Sequence, residues 1–204
     1  MGGKLCTLFA RAGHEVVFSY ARSQDKLKRL AEEAGANAHA GTPREAAHEA
    51  DAVLFAVHWS RTDEVLSEAG DLSGKAVITC SLPMNADNTA LVVAHTSSGA
   101  EELARKLPKV SVLCAINTVP SEVLFGVSAA RRKAAKPSLV YCGDDARSKG
   151  IAATMIRDVG FDPVDAGPLR IARYTEPFAL LVGQLAYETE AGPEVAYRFE
   201  RFRE

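Results

Sequence analysis

Apolar residues along the chain switch between helix and strand spacing, and the switches predict the elements. From Lys4 to Ala12 they fall at Leu5, Leu8, Phe9 and Ala12, one face of a helix. Gly13 supplies the stop. Glu15 to Tyr20 then reads as a strand rich in β-formers. Ser23 can cap a helix from about Gln24 to Ala34, ended by Gly35. Thr42-Pro43-Arg44-Glu45 is a capping box with proline at the first helical position, and its helix ends near Ala50. Ala52 to Val57 is a continuous apolar run bounded by polar residues, as suits a parallel strand covered on both faces.

The pattern repeats downstream. Helical spacing is expected over Asp63 to Ala69, from the Ser98-Gly99-Ala100-Glu101 capping box to Leu107, from Asp145 to Val159, and from Arg173 to about Glu188. A short helix is expected over Ser121 to Phe125 and a last one over Pro193 to Arg203. Strands are expected at Ala76 to Cys80, Val110 to Ile116, Ser138 to Cys142 and Phe161 to Asp165. Asn85 to Ser98 is the longest loop, and a loop of that length is often functional. Strands alternating with helices across short connections predict one doubly wound α/β domain over residues 1–204.

Composition narrows the function. The chain has 204 residues, 47% apolar and 25% charged, with a net charge of −2. That balance argues against nucleic-acid binding and against a polybasic membrane patch. No apolar run reaches the ~18 residues of a membrane span, and the first residues lack the shape of a signal peptide. Cys6, Cys80, Cys114 and Cys142 form no C-x-x-C pair and have no histidine at metal-site spacing. They read as reduced thiols of a cytoplasmic protein with no metal.

Candidate chemistry lies where strands end. A dinucleotide-binding unit runs strand, G-x-G-x-x-G turn, helix, strand. Here the sequence opens at Met1-Gly2-Gly3 and passes straight into the helix, so Gly2 fits the last glycine of that turn and Gly3 follows it. The first strand and the first two glycines are not in the sequence, which predicts two strands with unpaired edges. A bare Met-Gly-Gly also fits a flexible terminus. The turn after the Glu15–Tyr20 strand is more telling. An NAD site has a carboxylate there for the ribose 2′-OH. This chain has Ser19, Arg22, Ser23 and Lys26, and no carboxylate before Asp25. Hydroxyls and cations suit a 2′-phosphate, which points to NADP, although Ser23 also fits a plain N-cap.

Further ends should line the crevice at the carboxyl edge of the sheet. They are Ala56-Val57-His58-Trp59, Ser81-Leu82-Pro83 and Ile116-Asn117-Thr118-Val119. His58-Trp59 reads more readily as a pocket wall than as catalytic residues, since no Ser or Asp partner supports a triad. Asn117 and Thr118 could orient a nicotinamide carboxamide or simply form a turn. Asp144-Asp145 reads as an N-cap rather than a metal site.

The sequence resembles the coenzyme F420-dependent NADP oxidoreductases and their wider group of dinucleotide-binding reductases. The likeness rests on Ala12-Gly13-His14-Glu15-Val16-Val17, Ala56 to Trp59, Thr96 to Glu101, Ala115 to Pro120, Tyr141 to Asp145, and Gly160 to Arg170 continuing to Glu176-Pro177. Asp165-Ala166-Gly167-Pro168-Leu169-Arg170 is its most specific run.

The resemblance implies a mostly parallel Rossmann sheet with a small C-terminal helical extension, residues 171–204. It implies hydride transfer between NADP(H) and a deazaflavin, flavin or similar small-molecule acceptor, with coenzyme F420 or a flavin as co-substrate. Ser19, Arg22 and Lys26 would hold the 2′-phosphate, and Ala56 to Trp59 would lie along the cofactor. Ser81, Pro83, Ile116, Asn117 and Thr118 would sit near the nicotinamide. Leu82, Val119 and Arg170 are candidate contacts to the second substrate. His58 stands where the family commonly has Pro, and Ser81-Leu82-Pro83 where it has Thr-Asn-Pro, so the acceptor is less defined than the dinucleotide. The competing readings are a non-catalytic NADP-binding module and an inactive truncated product. A homodimer through Phe178 to Val182 is a further expectation.

Overall fold

The structure is a computed structural model that describes residues 1–20, 23–48, 50–132 and 135–202. In chain order the elements are α1 (Gly2–Arg11), β1 (Val16–Phe18), α2 (Gln24–Ala34), β2 (Ala38–Ala40), α3 (Pro43–His48) and β3 (Ala52–Phe55). A 3-10 turn at Trp59–Arg61 leads into α4 (Thr62–Ala69), then β4 (Ala76–Thr79), α5 (Gly99–Lys106), β5 (Ser111–Ala115) and α6 (Val123–Ala129). β6 (Ser138–Gly143), α7 (Ala146–Asp158), β7 (Asp162–Asp165), a 3-10 turn at Leu169–Ile171 and α8 (Ala172–Tyr187) complete the set.

The caps written in the sequence form as expected. Glu45 accepts from the Thr42 backbone N–H at 2.7 Å while Thr42 Oγ1 accepts from the Glu45 N–H at 3.2 Å, the reciprocal capping box. Asp145 caps α7 by accepting from the Ser148 N–H at 2.7 Å, and Asp144 accepts from the Leu169 N–H at 3.0 Å. Gly13, Gly35 and Gly160 hold φ near +100°, which only glycine adopts without strain.

The fold is α/β and mostly parallel. β3, β4 and β5 run parallel, β6 runs antiparallel to β5, and β7 is parallel to β6, in the order β3-β4-β5-β6-β7. β1 and β2 form a separate parallel pair. No ladder joins β1 to β3, so each presents an edge that no described strand pairs. Alternate strand residues enter two cores. One places Val16, Phe18, Ile78, Leu113 and Leu139 with Leu5, Leu8 and Phe9 of α1 and with α2, α6 and α7, and so unites both sheets. The other places Phe55, Val77, Val112 and Cys114 under α3, α4, α5 and α8. Each fully buried Leu, Ile or Phe contributes about 1.5–3 kcal/mol.

Three expectations change. Ala38–Ala40 is a strand that no alternation of β-formers announces. In β3 only Phe55 is buried, whereas Ala52, Val53 and Leu54 are half-buried, because β3 is the last strand of its sheet rather than an interior one. Pro193 to Phe202 is not helical; its backbone pairs instead with Ser138, which donates N–H to Tyr197 O at 2.8 Å and accepts at Oγ from the Phe199 N–H at 2.9 Å. Arg203 lies outside the described residues. Among the described residues no helix is long and apolar enough to cross a membrane, and no cluster could hold a metal ion.

Candidate functional site

The carboxyl ends of β1, β3, β4 and β5 deliver four short segments. After β1, Ser19 is half-buried and Tyr20 holds φ +55°. A left-handed tyrosine costs of order 1–3 kcal/mol, and such strain clusters at ligand sites. Its phenol titrates above its ordinary range through burial, then through the Glu64 carboxylate that it meets. Ser23 is the N-cap of α2, accepting from the Lys26 N–H at 3.3 Å. Ser19 thus follows β1, while Ser23 and the exposed Lys26 stand at the start of α2. Arg22 lies outside the described residues.

After β3 the backbone meets the start of α1. A Cβ on Gly2 would stand 2.9 Å from the Cβ of Ala56, closer than two carbons approach. Glycine at this position therefore lets the amino end of α1, with its unpaired N–H groups, press against the end of β3. Gly3 packs under Leu30, whose methyls would lie 3.4 Å from an added Cβ.

Ser81 ties the next two ends together. Its hydroxyl donates to Val57 O at 2.6 Å and lies 3.2 Å from Phe55 O. Beyond it, Pro83 is buried and lies against Gly99 at the start of α5; Leu82 is half-buried. His58 is exposed and opens the Trp59–Arg61 turn, accepting at Nδ1 from the Ser60 N–H at 3.3 Å. The proton then sits on Nε2, which donates to Asn88 Oδ1 at 3.1 Å. Asn88 belongs to the long 85–98 loop, whose base is pinned by a Met84–Leu91 bridge. His58 therefore anchors that loop beside β3. Burial pushes the Cys6 thiol up to about 11 and the Cys80 thiol up to about 12, so neither is a thiolate at neutral pH.

The last segment follows β5. Ile116 holds φ +61°, a costly conformation for a β-branched residue. Its side chain and that of Val119 are core residues. Asn117 is 8% exposed; its Nδ2 donates to Cys114 Sγ at 3.2 Å, and its Oδ1 has no partner. A buried, unpaired amide oxygen costs about 1–3 kcal/mol. Thr118 is fully buried and bonded to the Tyr197 hydroxyl at 2.6 Å. Its side chain is thus committed to the C-terminal segment.

The structure brings Gly2 against Ala56 and ties Ser81 to Val57, while Ser19 and Asn117 follow the carboxyl ends of β1 and β5 and Ser23 caps α2. It does not bring Arg170 there. Arg170 lines a separate hollow with Asp144 and Arg105, just past the end of β6, which runs antiparallel to β5. Sequence reasoning missed Tyr20, Tyr197 and Glu176. Glu176 is 1% exposed and accepts from the Gly99 and Ala100 N–H groups at 2.8 and 3.0 Å, so a buried carboxyl caps α5. A glutamate amid apolar helix positions was the available signal.

Residues 1–83 match the family described as NADP oxidoreductase, coenzyme F420-dependent. The likeness covers 83 of the 204 residues. That match ends at Pro83, so it takes in the end of β1, the Gly2–Ala56 contact and Ser81, but not Asn117. The rat metalloreductase STEAP3 is 29% identical over 136 residues, 67% of this chain. The chain spans only 26% of that protein's length. Among solved structures, a protein of Arthrobacter sp. FB24, provisionally assigned as an F420-dependent NADP-reductase, superposes with TM-score 0.84 at 22% identity, covering 98% of this chain and 94% of that one. Protein SMa0349 of Sinorhizobium meliloti gives 0.71 at 21%, covering 98% and 91%. The reductive aminase of Aspergillus terreus, in complex with NADPH and ethyl-5-oxohexanoate, gives 0.65 at 17%, covering 91% and 58%. At these identities the structural likenesses establish the shared fold.

Proposed function

We propose that this protein is an NADPH-dependent reductase that passes a hydride to a small acceptor of deazaflavin or flavin type. The observation that carries the reading is Asn117. A buried amide oxygen with no partner, beside a left-handed Ile116 at the carboxyl edge, is a cost that a ligand N–H would offset. A nicotinamide carboxamide supplies that donor. The family match and the NADPH held by the reductive aminase support the choice of dinucleotide.

The residues present fit the cofactor. Gly2 leaves room for a backbone approach at Ala56, and the start of α1 offers N–H groups to a pyrophosphate. Ser19, Ser23 and Lys26, with Arg22, suit a 2′-phosphate. When bound, NADPH supplies the hydride. The chain's part is to hold two planar groups at reacting distance and to keep water out. Ser81 fixes the separation of the β3 and β4 ends. The 85–98 loop, held by His58, would cover the acceptor side, where Leu82 is half-buried. The exposed Tyr174, Leu181 and Leu185 on α8 would meet a second copy of the chain.

The test is fluorescence titration with NADPH and NADH, followed by an oxidation assay with coenzyme F420, FMN and FAD. Tighter NADPH binding and turnover with one of these acceptors support the proposal. Binding without turnover would leave a non-catalytic NADP module, and equal affinity for NADH would refute the 2′-phosphate assignment.

A further inference from the structure

A second cationic feature lies away from the cleft, where the end of α1 meets the end of α6. Leu8, Arg11, Phe125, Ser128, Arg131 and Arg132 line a hollow of about 400 Å³. Arg11 is nine residues along α1 from Gly2, about 14 Å at 1.5 Å per residue, so this hollow is separate from the Gly2–Ala56 contact.

Its chemistry is one-sided. Among the described residues, no carboxylate pairs with Arg11, Arg131 or Arg132. The sequence from Ala129 to Pro137 holds Arg131, Arg132, Lys133 and Lys136 and no acid, in a chain whose net charge is −2. The neighbouring acids are engaged elsewhere: Asp158 with His14 at 2.8 Å, and Glu33 with Arg29 at 3.9 Å.

The hollow is also held in shape. Arg11 lies over the Phe125 ring, 5.7 Å from its centroid, a cation–π contact that aims the guanidinium. Arg11 Nη2 donates to Glu33 O at 3.2 Å. Gly160, at φ +101°, leaves no space for a side chain: an added Cβ would stand 2.9 Å from Val127 O and 3.3 Å from the Arg131 Cβ. That contact fixes where the Arg131 side chain begins.

We propose that this hollow is a binding site for a small phosphate ester carrying at least two phosphoryl charges. Guanidinium forks match phosphoryl oxygens in pairs, and three forks around a concavity outdo a single phosphate's needs. A concave hollow on a chain of negative net charge favours a small ligand over a nucleic acid or a lipid surface, either of which needs an extended basic face. The site does not depend on the redox reading.

The experiment is calorimetric titration of the chain with inorganic pyrophosphate and with ATP at constant ionic strength, with and without saturating NADPH. Saturable binding that persists with NADPH is expected, weakening as NaCl rises from about 50 to about 300 mM. Arg131→Gln combined with Arg132→Gln should weaken it at least tenfold, and Phe125→Leu about threefold by freeing Arg11. Circular dichroism and NADPH titration should be unchanged in both variants. Binding that the double variant leaves intact, or none beyond the NaCl control, overturns the proposal. So does arginine-dependent capture by phosphatidylserine vesicles without pyrophosphate binding, which would make this face a membrane contact.

Discussion

Glu176 Oε2 accepts a 2.8 Å hydrogen bond from the backbone N–H of Gly99, and this buried contact fastens α8 to the start of α5. Arg173 reinforces it through paired bonds to Glu101 at 2.8 and 2.7 Å. The carboxyl is pushed up to about 7 by burial, against the pull of the two N–H groups. The folded protein therefore holds this proton more tightly than the unfolded chain. Its contribution to stability is complete below about pH 4.5 and falls as pH rises to about 7. At about 1.4 kcal/mol per pH unit, the loss is about 2–4 kcal/mol. Denaturant unfolding of wild type and Glu176→Gln at pH 5 and pH 8 checks this. The difference between the two proteins should shift by that amount, and a constant difference would count against it.

The Gly2–Ala56 approach predicts a compensating pair. Gly2→Ala should push α1 off β3 and weaken NADPH at least tenfold, since the added methyl meets Ala56 at 2.9 Å. Ala56→Gly removes the opposing methyl. The double variant should regain most of the lost affinity, read by fluorescence titration. Additive losses would show that the contact is not the cause.

Asn117→Leu should separate stability from binding. Replacing a buried amide whose oxygen has no partner by an apolar group of similar size should raise the melting temperature by a few degrees. The same change should weaken NADPH binding at least tenfold. A variant that is less stable and binds normally would place the ligand elsewhere.

On the proposed assignment of Lys26 and Arg22 to the 2′-phosphate, which only NADPH carries, Lys26→Ala and Arg22→Ala should each weaken NADPH far more than NADH. Titration of each variant with both dinucleotides measures the ratio. Equal losses would refute that assignment.

Much of the fold was legible because the signals were local. Thr42 with Glu45, Ser98 and Asp145 announce helix starts, and all three cap as read. Ala38–Ala40 was not legible: two alanines and a histidine carry no strand preference, and the strand exists because the neighbouring β1 offers a ladder. The antiparallel course of β6 was equally hidden, since strand direction is set by connection geometry rather than by composition. The C-terminal segment read as helix because its spacing permits one, but Ser138 competes for its backbone. At the candidate site the sequence named Asn117 and Gly2 without showing that one is unpaired and the other in contact with Ala56. Strain at Tyr20 and Ile116 is a property of φ, which residue names do not encode.

The Tyr197–Thr118 bond has a consequence for synthesis. It joins residues 79 positions apart, and Lys4 reaches from α1 to Ser121 of the same loop across 117 positions. The wall that holds Asn117 is therefore secured by groups from both the early and the late parts of the chain. During translation the sheet can form strand by strand, but this wall gains its last support only after residue 197 has left the ribosome. A nascent chain should acquire its core well before it acquires a stable cleft.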